Sequence, residues 1–146
     1  MIFIKKELSF CAAHRLPDHR GKCRFFHGHN YKVVVTLASV KLDKMGMVMD
    51  FSHVKKFMGD YLDENYDHRL ILDSSDPLLS VLHEALPEEQ RKNIKTFPGV
   101  PTAENMAEVF LHDWQAMLSG EVSVVGVEVW ETPTSCASAF KTTEGA

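Results

Sequence analysis

The chain has 146 residues and a formal net charge of −4. This length is enough for one domain, 1–146, with a buried core, and it requires no second domain. It has no long basic run, no stripe of basic and aromatic residues and no apolar run near the roughly 18 residues of a membrane span, so we expect no nucleic acid and no membrane as a partner. Three cysteines and no signal-peptide pattern at the start favour reduced thiols and a cytoplasmic location.

The first predicted element is a half-buried strand. From Ile2 to Phe10 apolar and polar side chains alternate, as in a strand with one face on the core. His14 follows at the end of this segment. The next stretch, Arg15 to Lys22, contains proline, aspartate and glycine and predicts a loop. Its basic residues and Arg24 either bind a phosphorylated ligand or are simply solvated, and the sequence favours neither interpretation.

The second predicted strand begins near a pair of histidines. Tyr31 to Val40 is rich in β-branched residues, and if the strand extends back to His27, then His27 and His29 point to the same face. Hairpin pairing with the first strand would bring His14 beside them. Three neutral imidazoles with an open fourth position are typical of a catalytic zinc site, although unrelated surface histidines would show the same spacing.

Cys23 lies four residues before His27 and has two interpretations. Its thiolate is either the fourth metal ligand or a reactive group beside the metal. Spacing does not decide between them. Cys11 and Cys136 have no specific assignment, and we interpret both as structural.

Two main helices are predicted. The first is capped by Asp50, and its apolar residues repeat at helical spacing at Phe51, Val54, Phe57, Met58, Tyr61 and Leu62. The second is capped by Thr102 and ends at Ser119-Gly120. A shorter helix opens at Pro77 between them.

The last two predicted elements are strands, Val122 to Thr132 and Ser135 to Thr142. The order of elements predicts a two-layer α+β fold, with a four-stranded antiparallel sheet and the two main helices on one of its faces. The outer strands of such a sheet have open edges that need cover.

Two acidic residues stand out by their positions. Asp67 precedes His68 just after the first main helix, where a histidine is more often a helix cap than a catalyst. Glu131 follows Val127 and Val129, which we expect to point inward, so its carboxylate needs a partner.

Six blocks of the chain, taken together, carry a family resemblance. They are Phe10-Cys11-Ala12-Ala13-His14-Arg15-Leu16-Pro17, Cys23-x-x-x-His27-Gly28-His29, Met49-Asp50-Phe51, Leu62 to Leu70 with Asp67-His68, Pro101-Thr102-Ala103-Glu104-Asn105 and Val129-Trp130-Glu131-Thr132. In this order they resemble the 6-pyruvoyltetrahydropterin synthase/6-carboxytetrahydropterin synthase family, and the resemblance extends over most of the chain. The resemblance implies the tunnelling fold (T-fold), in which trimers close their sheets into an oligomeric barrel and two trimers stack into a homohexamer.

The resemblance also implies a metal and a set of catalytic groups. The implied cofactor is Zn²⁺, and its implied ligands are His14, His27 and His29. Cys23 matches the catalytic cysteine that deprotonates the substrate side chain. Asp67-His68 matches an acid-base pair that assists from the neighbouring subunit.

The residues that bind the substrate are implied in the same way. Glu131 matches the glutamate that anchors the pterin, whose amino-pyrimidinone edge presents two adjacent N–H donors to a carboxylate. Thr102 and Glu104 are candidates for the same pocket, although helix capping explains them equally well. Arg15 and Lys22 are candidates for binding the triphosphate.

The implied activity is that of a zinc-dependent lyase acting on 7,8-dihydroneopterin triphosphate. The short spacing between Cys23 and His27 resembles the bacterial 6-carboxytetrahydropterin synthases, which release acetaldehyde and triphosphate on the way to queuosine. The alternatives are the 6-pyruvoyl product and a non-catalytic zinc- or pterin-binding module, which would need only the three histidines and Glu131. The segment Asp73 to Val100 looks like an insertion relative to compact bacterial members, and we find no chemistry in it.

Overall fold

A long antiparallel hairpin forms the centre of the fold. The computed structural model describes residues 1–142 of the chain. The hairpin strands are β1 (Ile2–His14) and β2 (His27–Ser39), and they pair along their whole length. The alternation predicted for the first strand is present in its second half, where Leu8, Phe10 and Ala12 are buried and the residues between them are not.

The hairpin is extended into a sheet on both sides. On one side, β3 (Leu70–Asp73) runs parallel to β1, and β4 (Ile94–Phe97) runs parallel to β3. On the other side, β5 (Ser123–Thr132) pairs antiparallel with β2, and β6 (Ser135–Phe140) pairs antiparallel with β5. The result is one six-stranded sheet in the order β4-β3-β1-β2-β5-β6.

The prediction of an α+β fold is confirmed, but the prediction of a four-stranded, wholly antiparallel sheet is wrong. The two missed strands, β3 and β4, have only four residues each, which is too short to show a clear period of two. Three of the four residues of β3 are consecutive and apolar, as is usual for a strand covered on both faces. Because β4 lies within 73–100, this segment contributes to the sheet and is not simply a surface loop.

Two long helices pack on one face of the sheet, and two short helices lie between them in sequence. In chain order the helices are α1 (Phe51–Val54, a π-helical turn Lys55–Gly59, and Asp60–Asn65), α2 (Leu78–Ala85), α3 (Glu88–Arg91) and α4 (Ala103–Met117). Both predicted caps are present: Asp50 accepts the N–H of Ser52 at 2.7 Å, and the Thr102 hydroxyl accepts that of Asn105 at 3.2 Å. Within residues 1–142, none of these helices has the length and apolar character to cross a membrane.

The buried face of α1 is narrower than predicted. Val54, Met58 and Leu62 are buried, but Phe51 and Phe57 are each 50% exposed. The buried residues are four apart, and the π-helical turn has more residues per turn than an α-helix, so this spacing keeps them on one side. The two phenylalanines therefore flank the buried stripe instead of joining it.

Aromatic rings connect the hairpin to the helices. Phe10 of β1 stacks on Tyr31 of β2 with ring centroids 4.7 Å apart, and Phe110 of α4 meets Phe10 edge-on at 6.1 Å. Tyr66 and Trp114 extend the same buried cluster. These contacts anchor the hairpin a few residues from the end at which β1 and β2 carry histidines.

An ion pair ties the segment 73–100 to the end of β1. Both oxygens of Asp76 accept hydrogen bonds from the Arg15 guanidinium at 2.7 Å, and one also accepts the N–H of Leu78 at 2.8 Å. The bonds from Arg15 hold the pKa of Asp76 below its usual range, against the opposing effect of burial. Since Arg15 directly follows His14, the segment helps to fix the chain beside that histidine.

Candidate metal centre and surrounding residues

Three histidines meet at the end of the β1–β2 hairpin. His14 lies directly opposite His27, and His29 lies two residues further along β2. Residues that are opposite each other or two apart along a strand share a face, so the three imidazoles project from the same side of the sheet. The ring centroids are 4.6 to 5.2 Å apart, and one ligating atom of each ring lies within 4.8 Å of the others. The structure thus brings together the side chains that the sequence analysis expected to converge.

Backbone carbonyls orient two of the three rings. His14 Nδ1–H donates to the carbonyl of Pro101 and His27 Nδ1–H to that of Phe25, both at 2.8 Å. A neutral imidazole that donates through Nδ1 has a lone pair on Nε2. The two Nε2 atoms are 3.1 Å apart, and Nε2 of His29 is buried and has no hydrogen-bond partner within residues 1–142. Lone pairs that face one another repel unless a cation lies between them, so these residues fit a metal ion.

Burial favours the neutral form of two of the histidines, His14 and His29. It lowers the pKa of His14 to about 4; the bond to Pro101 opposes this, and the neighbouring His27 and His29 add to it. Burial also lowers the pKa of His29, while the nearby carboxylate of Glu131 opposes the change. The neutral imidazole is the form that binds a metal, so this part of the site is in its binding form at neutral pH.

Tyr31 and Glu131 complete the surroundings of the histidines. The Tyr31 hydroxyl lies 3.2 Å from Nδ1 of His14, and burial raises the pKa of Tyr31, so it stays a neutral phenol. Oε1 of Glu131 lies 4.0 Å from Nε2 of His14, and the glutamate side chain is partly exposed. The register of β5 against β6 shifts between Trp130 and Thr132, and such irregularities often re-aim a side chain. Glu131 therefore presents a carboxylate at the rim of the histidine cluster.

Cys23 lies on the connection between the two hairpin strands. It is half-buried in a single 3₁₀ turn, Lys22–Arg24, and its carbonyl accepts the N–H of Leu16 at 2.8 Å. Among the described residues, the group whose ligand atoms lie mutually within 4.8 Å contains the three histidines and not Cys23. Cys23 therefore does not belong to this group of candidate ligands.

The predicted phosphate-binding cations differ in their surroundings. Arg15 donates two hydrogen bonds to Asp76 and a third, at 3.4 Å, to the carbonyl of Arg24, so its charge is balanced by a buried carboxylate. Lys22 is exposed on the 3₁₀ turn, and the guanidinium of Arg24 lies 4.4 Å from the ring centroid of Phe25. Lys22 is therefore better placed than Arg15 to meet an anion from solvent.

The block from Pro101 to Asn105 supports the cluster mainly through its backbone. The carbonyl of Pro101 holds His14, and the Thr102 hydroxyl caps α4. Glu104 is exposed on the first turn of the same helix. Sequence reasoning missed the role of Pro101, because a backbone acceptor 87 residues away from its donor leaves no signal in side-chain type.

Asp67 and His68 form a hydrogen-bonded pair on a different surface. Oδ2 of Asp67 accepts from Nδ1 of His68 at 2.7 Å, and Oδ1 accepts the N–H of Cys11 at 2.9 Å. Partial burial alone would raise the pKa of Asp67, but the hydrogen bonds from Cys11 and His68 outweigh it and the pKa is lowered. Asp67 is thus a carboxylate that orients the imidazole beside it.

The structure does not bring this pair to the histidine cluster of the same chain. Cys11 and His14 are three residues apart on β1 and so point to opposite faces of the sheet. His68 lies against the Cys11 thiol, with Sγ 3.7 Å from each ring nitrogen. The Asp67–His68 pair therefore lies on the face of the sheet opposite the two long helices, and the three histidines lie on the core face.

Comparisons with known proteins identify related chains over almost the whole length. The sequence model of the family described as 6-pyruvoyl tetrahydropterin synthase matches residues 3–142. Relatives named 6-carboxy-5,6,7,8-tetrahydropterin synthase include that of Haemophilus influenzae, 38% identical with 92% of this chain and 96% of the relative covered, and that of Aquifex aeolicus, 41% identical with 80% and 74% covered.

Solved structures show the same fold. An uncharacterized protein from Wolinella succinogenes superposes with a TM-score of 0.86 at 28% identity, covering 97% of this chain and 98% of that one. The 6-pyruvoyl tetrahydropterin synthase of Caenorhabditis elegans superposes with a TM-score of 0.71 at 28% identity, covering 97% and 96%. The T-fold expected from the sequence is confirmed by these neighbours.

The burial of His14 predicts a pH-dependent stability in chelator-treated protein. Its pKa is about 4 in the folded chain against 6.5 for an unperturbed histidine, so between these values the unfolded chain binds a proton that the folded chain excludes. The free energy of unfolding should therefore fall by about 3 kcal/mol as pH falls from about 7 to about 4. Urea titrations at several pH values measure it. The decrease in the free energy of unfolding with falling pH should be smaller in His14→Gln. It should be unchanged in the control His83→Gln, which replaces an exposed histidine. An equal decrease in the two variants would contradict the assignment of the effect to His14.

Proposed function

Because the chain belongs to the 6-pyruvoyl tetrahydropterin synthase family, we propose that it is a zinc-dependent lyase that converts 7,8-dihydroneopterin triphosphate and one water molecule to 6-carboxy-5,6,7,8-tetrahydropterin, acetaldehyde and triphosphate. The observation that carries this proposal is the position of Glu131, whose carboxylate lies 4.0 Å from the histidine cluster. An acceptor for the N–H groups of a pterin and a candidate metal centre then share one site. The names of the curated relatives support the 6-carboxy product.

The donor set supports zinc as the metal. Ligands at 2.0–2.1 Å from a tetrahedral zinc lie about 3.3–3.4 Å from one another, close to the 3.1 Å between Nε2 of His14 and of His27. Three imidazoles with a free fourth position are the pattern of catalytic rather than structural zinc. When bound there, zinc supplies Lewis-acid polarisation of the oxygens on the substrate side chain.

Side chains of the protein would bind the substrate and transfer its protons. Glu131 accepts two N–H bonds from the pterin ring and fixes its orientation. Cys23 acts as the thiolate that removes a proton from the substrate side chain, and its position outside the histidine cluster supports this role over that of a ligand. His68, oriented by Asp67, returns or removes the second proton. Thr102 and Glu104 remain candidates for the pterin pocket, and Lys22 and Arg15 for the triphosphate.

The opposite positions of the two clusters support an active site shared between subunits. Within one chain, Asp67 and His68 lie on the other face of the sheet from the three histidines, so we propose that they serve the site of a neighbouring subunit. The strands β4 and β6 end the sheet with open edges, which a neighbouring copy would cover. The assembly we propose is the homohexamer implied by the family, a dimer of trimers. The proposed setting is queuosine biosynthesis in the cytoplasm, with the three cysteines as free thiols.

The 6-pyruvoyl product is the second candidate, since the family description and a structural neighbour carry that name. Two observations favour the 6-carboxy product: the short spacing from Cys23 to His27, and relatives at 34% to 41% identity that carry the 6-carboxy name. A non-catalytic binding module would require neither Cys23 nor the Asp67–His68 pair.

The identity of the product tests the proposed function. Zinc-loaded protein is incubated with 7,8-dihydroneopterin triphosphate, and the pterin and any acetaldehyde are identified by mass spectrometry. We expect 6-carboxy-5,6,7,8-tetrahydropterin with an equal amount of acetaldehyde. A 6-pyruvoyl pterin without acetaldehyde would establish the second candidate, and no turnover under conditions of full zinc loading would favour the binding module.

Replacement of Cys23 separates catalysis from metal binding. Cys23→Ala should keep its zinc and still bind pterin through Glu131, while turnover falls by about 10²–10⁴-fold, as expected for the loss of a general base. Zinc analysis and single-turnover kinetics on the same preparation measure both effects. Cys136→Ala, which changes an exposed thiol on β6, is the matched control and should behave like the unmodified protein. A zinc-free, unstable Cys23→Ala protein would make Cys23 a ligand instead.

Mixed assemblies test whether the site is shared. Cys23→Ala and His68→Ala should each be nearly inactive alone. If Cys23 and His68 at one site come from different subunits, co-expression in equal amounts should regenerate intact sites at about one quarter of all positions by random mixing. Activity per subunit near this fraction is the expected result. No recovery in assemblies shown to contain both variants would mean that one chain supplies both groups.

A further inference from the structure

The face of the sheet opposite the two long helices carries a second cluster of side chains able to bind a metal. Cys11, Asp67 and His68 each place one ligand atom within 4.8 Å of the other two. Sγ of Cys11 lies 3.7 Å from Nε2 of His68. The cluster is separate from the three histidines, because Cys11 and His14 point to opposite faces of the strand. Its thiol has no part in the function proposed above.

The backbone already holds His68 over the thiol. His68 has φ 56°, the left-handed conformation that is uncommon for residues other than glycine. Its N–H donates to the carbonyl of Cys11 at 2.7 Å, and its own carbonyl accepts from Nδ2 of Asn93 at 2.6 Å. The backbones of Cys11 and His68 are therefore already held in place, and sharing a ligand requires rotation of side chains only, which limits the entropy lost on binding.

The separation of the two side chains is close to that needed to share a thiophilic cation. Bonds of 2.3 Å to sulfur and 2.0–2.1 Å to nitrogen in a tetrahedral zinc site separate the two ligand atoms by about 3.5–3.6 Å. Sγ of Cys11 lies 3.7 Å from both ring nitrogens of His68, so a side-chain rotation would still have to bring the thiol onto the lone-pair axis of Nε2. Nδ1–H of His68 donates to Asp67 at 2.7 Å, which leaves Nε2 free and reproduces the carboxylate–histidine–metal arrangement of many metalloproteins.

We propose that Cys11 and His68, supported by Asp67, form a second binding site for a thiophilic divalent cation such as Zn²⁺ or Cd²⁺. Binding releases the proton of the Cys11 thiol, and water fills the remaining coordination positions. With two protein ligands instead of three, this site holds its ion more weakly than the histidine cluster and exchanges it more readily. Through Nε2 of His68 the ion also blocks a proton-transfer group, so excess zinc inhibits turnover; this last consequence rests on the proposed function.

Cadmium binding to the full-length, chelator-treated protein tests the site independently of activity. The wild-type chain should bind two Cd²⁺ ions in equilibrium dialysis, and binding of the weaker one should produce the ultraviolet sulfur-to-cadmium charge-transfer band. Cys11→Ser should lose both the second ion and the band. Asp67→Asn should weaken the second ion by about 10–100-fold, the usual effect of losing such a carboxylate. Cys136→Ser and Cys23→Ser are the matched controls and should keep both signals.

Three outcomes would overturn the proposal: one ion per wild-type chain, a second ion retained by Cys11→Ser, or a band lost in Cys23→Ser. A measurement on the unmodified protein avoids dependence on how the variants fold. Saturating Cd²⁺ should slow alkylation of Cys11 by iodoacetamide at least about 10-fold, as read from peptide masses, and a chelator should reverse this. Unchanged alkylation would equally overturn it. If the band and protection are present but excess zinc leaves turnover unchanged, the site stands and the proposed role of His68 fails.

Discussion

The register between β1 and β2 is the constraint on which the histidine cluster depends. It sets His14 opposite His27, and it places Cys11, opposite Asn30, on the other face of the sheet. A slip of one residue would exchange the two faces of a strand, so even the smallest error in pairing would break up the histidine cluster. The stacked rings of Phe10 and Tyr31 help to hold this register, because they are themselves an opposed pair within the core.

Histidines on the two faces of the sheet at β1 have different surroundings. On the core face, burial keeps His14 neutral, and a distant backbone carbonyl fixes its tautomer, so the ring is suited to binding a metal. On the other face, His68 lies against Cys11 of β1, is exposed and is oriented by one carboxylate, that of Asp67. β1 therefore borders one buried and one exposed histidine environment.

Local patterns carried most of what the sequence could predict. The hairpin, the caps at Asp50 and Thr102, and the convergence of the histidines follow from alternation, spacing and residue type. The parallel strands β3 and β4 could not be predicted from such patterns, because their pairing depends on contacts between residues that are far apart in the chain. The same holds for Arg15 with Asp76, 61 residues apart, and for Cys11 with His68, 57 apart. Such contacts depend on the finished sheet, and a single sequence contains no local pattern for them.

The position of the three histidines also has a consequence for the order of folding. They lie within residues 14–29 and belong to a hairpin that can close early, because the ends of a short connection meet at small entropic cost. The carbonyl of Pro101 reaches His14 only after the rest of the sheet and α4 have formed. An ion captured by the nascent hairpin would stabilise it before the core is complete. The supply of metal during synthesis would then influence the yield of folded protein as well as its later activity.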